Sequence, residues 1–516
     1  MAKSSFKEFH LLKDIYKVFS GVFLITILLK LLDIGKNLLI ASKLGVSSHS
    51  DIYLSIISIP ESLVVLIGFD TIRGVVNSEL SSIYSDKDNH EMWKVFSNLF
   101  HILIVASLAF LCLILFFREN IIQILLPGFS GEKEFQAHNI ALIIFPIFFF
   151  KALTGFFLAF FYSLKKFYFP ILLSSIISIS VIISIFIYPT TTYLIYNLSY
   201  GNLAGNFLYF LVLLFILKQS YNIFIVNFKL EKLSKVILKE CRNILLLVFL
   251  NQVYLFSRNY LASFFGDGAI SSINYASSIT GLISMIIFNT VFSALLSNLS
   301  SSFVHEPILQ IEEKFFNTYF SVLYFTVPIV LIFVIAPQEV LKLVYMRGEL
   351  EISDINIIKY PFIWESLSII STVIILMPLS LYLAKKNYKL LTIIGSIIFL
   401  LGIALNFLFT KIFGYVGISI AGLCVGMFYG LILLYYTKSY FRLKFYFKRF
   451  SNIFINSLLT FLIAYFIKQL FFIDSDDFLS LSINLLLISL MVLITYFLMS
   501  KLFGLNYFQK VVEKLL

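Results

Sequence analysis

Long apolar runs, interrupted by short polar segments, dominate the chain from about residue 18 to residue 500. A helix needs about 20 predominantly apolar residues to cross the hydrocarbon core of a bilayer. Fourteen such stretches can be laid out: 18–44, 52–79, 95–117, 137–163, 170–188, 193–217, 243–265, 272–302, 316–337, 357–384, 388–410, 415–437, 452–472 and 479–500. Hydrocarbon cannot satisfy an open backbone, so each stretch is expected to be helical. The longest connectors, 80–94, 118–136, 218–242, 303–315 and 338–356, are too short to hold an independent soluble domain. The pattern predicts an all-α polytopic membrane protein.

Composition supports this. The 516 residues are 60% hydrophobic and 13% charged, with 59 Phe and 29 Tyr; a soluble domain carries roughly 25% charged residues. An ordinary soluble enzyme is excluded. The net charge of +11 is informative through its placement. Lys3, Lys7, Lys13, Lys17, the lysines of 218–242 with Arg242, and the 385–389 and 438–449 groups share one side when the connectors alternate. The positive-inside rule puts that side, with both termini, in the cytoplasm. The basic residues therefore read as a topology signal and a contact for anionic lipid, and no nucleic-acid partner is expected.

Cys112, Cys241 and Cys424 match no metal or disulfide spacing. The six His form no HExxH motif, and no GxxxxGK[ST] segment offers a nucleotide site. No cofactor or metal is expected, and no loop bears a set of catalytic groups. A transporter driven by membrane potential or an ion gradient fits better than an enzyme.

Segment 218–242 places Phe224, Ile225, Phe228, Leu230, Leu233, Val236 and Ile237 among lysines, the pattern of an interfacial amphipathic helix. It lies where a linker between two lobes belongs. The chain then divides into a first lobe (1–217), the linker (218–242), a second lobe (243–440) and a terminal part with spans 13 and 14 and a basic tail (441–516). A faint repeat agrees: Ala41-Ser42-Lys43-Leu44-Gly45 precedes Tyr53, and Ala262-Ser263-Phe264-Phe265-Gly266 precedes Tyr275. Six spans separate the copies, so they are parallel repeats of the kind found in transporters.

A charge at bilayer depth costs at least about 2.5–3.5 kcal/mol on insertion scales, so each one needs a reason. Span 1 carries Lys30, Asp33 and Lys36; span 2 has Asp51 before it, then Glu61, Asp70 and Arg73; span 4 has Lys151, span 7 Arg258 and span 10 Glu365. Most fall in spans 1, 2 and 7, which predicts that these line one hydrated cavity. Lys30, Lys36, Arg73 and Arg258 would suit an anionic head group such as a pyrophosphate, with Asp33 and Asp51 ordering the cations or touching sugar. The competing reading is that Lys30–Asp33 and Asp70–Arg73 neutralise each other three residues apart; Lys36, Asp51 and Arg258 show no local partner. Glu365 reads either as an ion-coupling site or as a capped glutamate.

The stretch GKNLLIASKLGVSSHSDIYLSIISIPESL (35–63) resembles the N-terminal signature of the MurJ/MviN family of lipid-linked precursor flippases, within the multidrug/oligosaccharidyl-lipid/polysaccharide exporter superfamily. Leu126-Pro127-Gly128-Phe129, Lys166-Phe167 with Pro170, SRNYLASFFGDGAISSINYASSI (257–279), Arg347-Gly348, Asn406 and GYVGISIAG (414–422) continue the likeness. The resemblance implies two six-helix lobes in a V with a central cationic cavity. It also implies a groove on spans 13 and 14 for a polyprenyl tail. It places Lys30 and Lys36 where the family has arginines, Asp51 at its span 2 aspartate and Arg258 at its span 7 arginine. Val64-Val65, Ser278 and Ser297 depart from the family pattern.

The expected function is therefore a flippase in a bacterial cytoplasmic (inner) membrane, moving an undecaprenyl-pyrophosphate-linked glycan of the peptidoglycan lipid II type by alternating access. Envelope-synthesis enzymes are its expected neighbours. The departures keep two alternatives open, a flippase for O-antigen, capsule or other lipid-linked polysaccharide units and a cation-coupled drug exporter.

Overall fold

The computed structural model describes residues 2–66, 89–187, 191–220, 232–292, 306–385, 387–441, 447–471 and 477–505, with isolated positions at 295, 299, 302, 303 and 507. The chain divides into two compact units, Met1–Phe264 and Phe265–Leu516. Among the described residues the regular structure is helical, and eleven helices are long and apolar enough to cross a membrane. Of the further spans expected, those with most of the intramembrane charge, 18–44 lies on helix Ala2–Leu44, residues 52–66 of 52–79 lie on Ser48–Leu66, and residues 243–262 of 243–265 lie on Lys232–Ala262, while 67–79 fall outside the described residues.

The first unit contains α1 (Ala2–Leu44), α2 (Ser48–Leu66), α3 (Asn89–Phe116), α4 (Arg118–Leu125), α5 (Glu132–Ile144), α6 (Ile147–Ser163), α7 (Tyr168–Leu173), α8 (Ser175–Ile187), α9 (Thr191–Ser220) and α10 (Lys232–Ala262). α1 and α2 meet at Gly45, whose φ of 61° lets the chain leave the helix in the left-handed region. The expected span 137–163 is broken at Phe145-Pro146, because proline cannot supply the amide the helix ladder needs. Large rings fill the space between α3 and α6: Phe96 stacks on Phe156 at 4.9 Å and tilts against Phe160 at 4.4 Å. α9 lies along α8, α6 and α5, and α1 lies along α8.

The second unit contains α11 (Ala269–Ile287), α12 (Ile308–Ile335), α13 (Pro337–Tyr345), α14 (Ile352–Ala384), α15 (Tyr388–Phe413), α16 (Val416–Phe441), α17 (Phe447–Phe471) and α18 (Phe478–Leu502). α14 is its centre, packed against α11, α12, α13 and α16. Close approach of α16 depends on a small residue: a Cβ on Gly430 would stand 2.5 Å from Ile374 Cγ2. The last two helices pack on each other and on α12. They are fastened by Tyr324, whose hydroxyl donates to Ser500 Oγ at 2.8 Å, and by the Lys468–Glu339 pair at 2.6 Å. Their outer faces expose large apolar side chains such as Phe454, Leu462, Phe466, Leu486 and Leu490, as a lipid-facing helix pair requires.

Two expectations change in detail. Connectors 118–136 and 338–356 contain helices, α4 and α13, rather than loop alone. In the expected interfacial helix 218–242, residues 221–231 lie outside the described residues and 232–242 form the first turns of α10.

Candidate functional site

Five helices of the first unit place polar side chains around one cavity of about 380 Å³. α1 contributes Asp33, Lys36 and Asn37, and α2 contributes Tyr53 and Glu61. α6 contributes Lys151, α8 contributes Ser178, and α9 contributes Asn202. Residues 33, 36 and 37 share a face because helical neighbours lie three and four apart.

Asp33 sits between two lysines of its own helix. Lys30 Nζ is 3.7 Å from Oδ2 and Lys36 Nζ is 3.4 Å from Oδ1, and the Ser178 hydroxyl donates to Oδ1 at 2.5 Å. Glu61, directly after Pro60, pairs with Lys151 of α6. Tyr53 is 2% exposed and its hydroxyl accepts from the Asn202 amide. The lining thus holds two carboxylates and two ammonium groups, each acid matched by a base. Such pairing is how ionised side chains are retained at membrane depth, while Ser178 occupies a further lone pair of Asp33, and Asn202 and Tyr53 bond each other.

Of the residues singled out in the sequence, the structure brings Lys36 and Asp33 into this cavity, with Lys30 beside them on the more exposed side of α1. Lys36 does have a local partner, Asp33, against expectation. Asp51 pairs instead with a residue distant in sequence: Lys133 Nζ stands 3.1 Å from its Oδ2. Asp51 is 1% exposed and is not among the lining residues, because the first turn of α2 carries it toward α5 instead. Arg258 is half-buried on α10. Arg73 and Asp70 lie outside the described residues. Glu365 belongs to the second unit, half-buried on α14, and its Oε1 accepts from the Ser419 hydroxyl of α16 at 3.0 Å.

The site also contains residues that the sequence had flagged only as isolated charges. Glu61 and Lys151, charges set among apolar residues, each needed a partner, but the sequence does not say which residue supplies it. Ser178 and Asn202 carried no such signal in the sequence.

The model of the family described as "Lipid II flippase MurJ" matches residues 40–501. The chain belongs to the MurJ lipid II flippase family. Among curated proteins it is 25% identical over 416 residues to a "Probable lipid II flippase MurJ" of Buchnera aphidicola subsp. Baizongia pistaciae, covering 79% of this chain and 80% of that protein. A "Lipid II flippase MurJ" of Thermosipho africanus is 30% identical over 193 residues, 37% of this chain and 39% of its own length. Among solved structures, a lipid II flippase MurJ in an inward closed conformation superposes with a TM-score of 0.79 at 25% identity, covering 94% of this chain and 98% of that one. An inward-facing multidrug resistance MATE family transporter of the MOP superfamily reaches a TM-score of 0.69 at 13% identity, covering 80% of this chain and 94% of that one, which shows a shared fold. The family match begins at residue 40, so Lys30, Asp33 and Lys36 precede the matched segment, whereas Glu61, Lys151 and Arg258 lie inside it.

Proposed function

We propose that this protein carries lipid II, the polyprenyl-pyrophosphate-linked peptidoglycan precursor, from the cytoplasmic to the outer leaflet of a bacterial cytoplasmic membrane. Membership of the flippase family over residues 40–501 is the observation that carries this reading. The polar cavity of the first unit supports it, because ionised groups held between spans give a charged head group an environment that hydrocarbon cannot.

In this reading Lys36 and Lys151 are the first contacts of the pyrophosphate, with Lys30 at the rim and Arg258 and Arg73 adding positive charge from α10 and from span 2. A pyrophosphate offers several strong acceptor oxygens and draws the ammonium groups away from Asp33 and Glu61. The two carboxylates hold the lysines in place until substrate arrives. They also weaken its hold afterwards by competing for the same cations, which a transporter needs in order to release its load. At about 380 Å³ the cavity suits the pyrophosphate and its first sugar rather than the whole precursor. The polyprenyl tail stays in lipid along the apolar faces of α17 and α18. Both termini are cytoplasmic, and movement is driven by the membrane potential or by an ion gradient, with Glu365 the residue assigned to ion coupling. Enzymes that make and polymerise the precursor are its neighbours in the membrane.

Complementation tests the reading. The chain is expressed in a bacterium depleted of its own peptidoglycan-precursor flippase, with an immunoblot of the membrane fraction confirming insertion. Growth is the expected result. Lysis with the protein present in the membrane overturns lipid II as substrate and transfers the assignment to another lipid-linked glycan.

A further inference from the structure

Asp51, buried but turned away from the cavity, belongs to a second construction. Its partner Lys133 lies in the first turn of α5, and the same ammonium group sits 4.6 Å from the centre of the Phe129 ring. Phe129 closes a tight turn, Leu126-Pro127-Gly128-Phe129, by donating its amide to Leu126 O at 3.0 Å. Leu126 and Phe129 are both buried, so the turn is anchored from below.

Gly128, between them, meets the end of α10. Its amide donates to Ser263 Oγ at 3.1 Å, and that hydroxyl donates to Tyr260 O at 2.7 Å. The approach is closer than any side chain permits. A Cβ on residue 128 would lie 2.0 Å from the Ser263 carbonyl oxygen and 2.6 Å from the Phe264 nitrogen, and these are backbone atoms that cannot rotate aside. One turn earlier on α10, the Asn259 amide donates to Ser58 Oγ of α2 at 3.1 Å. The end of α10 therefore rests on two supports, the glycine turn and α2. The Asp51–Lys133 pair ties the first support to the helix that forms the second.

We propose that Asp51 and Lys133 are positioning residues for transport: they hold the 126–129 turn as a seat for the end of α10, and α10 seats on Gly128 and leaves it within each transport cycle. The word transport here rests on the flippase reading; the seat itself rests on geometry. The bonding suits a contact that is made and broken. α10 is held to the seat by neutral hydrogen bonds, each of small net strength, whereas the ion pair beneath is buried and costly to break.

The test uses a full-length chain in which Cys112, Cys241 and Cys424 are replaced by alanine, carrying the pair Ser58→Cys and Asn259→Cys. Oxidative cross-linking of this pair in membranes reports seated α10 without any substrate, so it gives an answer whether or not lipid II is the cargo. The expected result is a high cross-link yield that falls at least threefold on adding Gly128→Ala, and likewise on adding Asp51→Asn or Lys133→Gln, with protein level and elution as a monodisperse species unchanged. Reducing the cross-link is expected to restore flipping of fluorescent lipid II that oxidation had stopped. A yield unaffected by Gly128→Ala overturns the seat. A normal Gly128→Ala response combined with unchanged yield in well-inserted Asp51→Asn overturns the positioning role of the ion pair. Should Asp51→Asn fail to insert, Lys133→Gln and Gly128→Ala still decide.

Discussion

Lys151 of α6 reaches across to Glu61 of α2, ninety positions away in the chain, and the two line the same cavity as the Asp33–Lys36 pair of α1. Both side chains keep part of their surface open, 28% for Lys151 and 51% for Glu61. Solvent screening therefore keeps their pairing near the ~1 kcal/mol at most of a surface salt bridge, well below the ~3 kcal/mol or more lost on breaking a fully buried one. Lys151→Met and Glu61→Gln are each expected to slow flipping more than they lower thermal stability. The double variant is expected to be more stable than the sum of the singles predicts. A double-mutant cycle on melting in detergent, run beside a transport assay, checks both statements.

Lys36→Ala is expected to lower the flipping rate by about ten- to a hundredfold. A hydrogen bond to a charged group is worth about 1.5–3 kcal/mol, and each ~1.4 kcal/mol is a factor of ten in rate. Arg258→Ala is expected to fall in the same range. Lys36→Arg keeps the charge and should retain most of the rate. Transport assays normalised to membrane-inserted protein distinguish these outcomes. An unchanged rate for Lys36→Ala removes that residue from the site.

Glu339 and Lys468 make a prediction about stability rather than transport. Glu339 is 6% exposed, and Lys468 also donates to Ile335 O at 2.9 Å, so the pair fastens α17 to α13 and to the end of α12. Glu339→Gln leaves the ammonium without its counter-charge and should cost about 3 kcal/mol. Replacing both, Glu339→Leu with Lys468→Met, should recover most of the loss because two apolar groups need no compensation. Thermal unfolding in detergent reads the difference.

Gly430→Ala is expected to push α16 off α14, since the added methyl would meet Ile374 Cγ2 at 2.5 Å and the Ile374 carbonyl carbon at 3.1 Å. Overpacking of this kind costs about 1–3 kcal/mol, again visible as a lower melting temperature. Gly281→Ala is the control, with open space where the methyl would go.

Hydropathy was enough to read the long apolar helices and their order, because a bilayer leaves the backbone little choice, but not the short α4 and α13. The motifs from 35–63 to 414–422 were enough to read the family. Part of the cavity was also visible in the sequence: Lys30, Asp33 and Lys36 repeat at helical spacing, so their neighbourhood follows from one helix alone. The pairs that cross between helices were not visible. Glu61–Lys151, Asp51–Lys133 and Glu339–Lys468 depend on which helices pack together and at what rotation, and nothing local encodes that. Asp51 shows the consequence: its place at the start of span 2 suggested a cavity residue, but the direction of the first turn of α2 gives it to Lys133. Pro146 shows the opposite case: it stands inside the span expected over 137–163, and this one residue is enough to account for the break between α5 and α6.

The central claim is that the chain moves lipid II by way of the first unit's cavity, and a flipping assay in vesicles tests it most directly. Purified protein is reconstituted into liposomes containing lipid II with a fluorophore on its peptide, and dithionite bleaches only the outward-facing head groups. Wild-type protein under an imposed membrane potential is expected to take bleaching well past the half reached in protein-free vesicles, and Lys36→Ala and Lys151→Met are expected to slow this at least tenfold. Bleaching that stops at half with wild-type protein, or that proceeds equally fast in both variants, would contradict the claim.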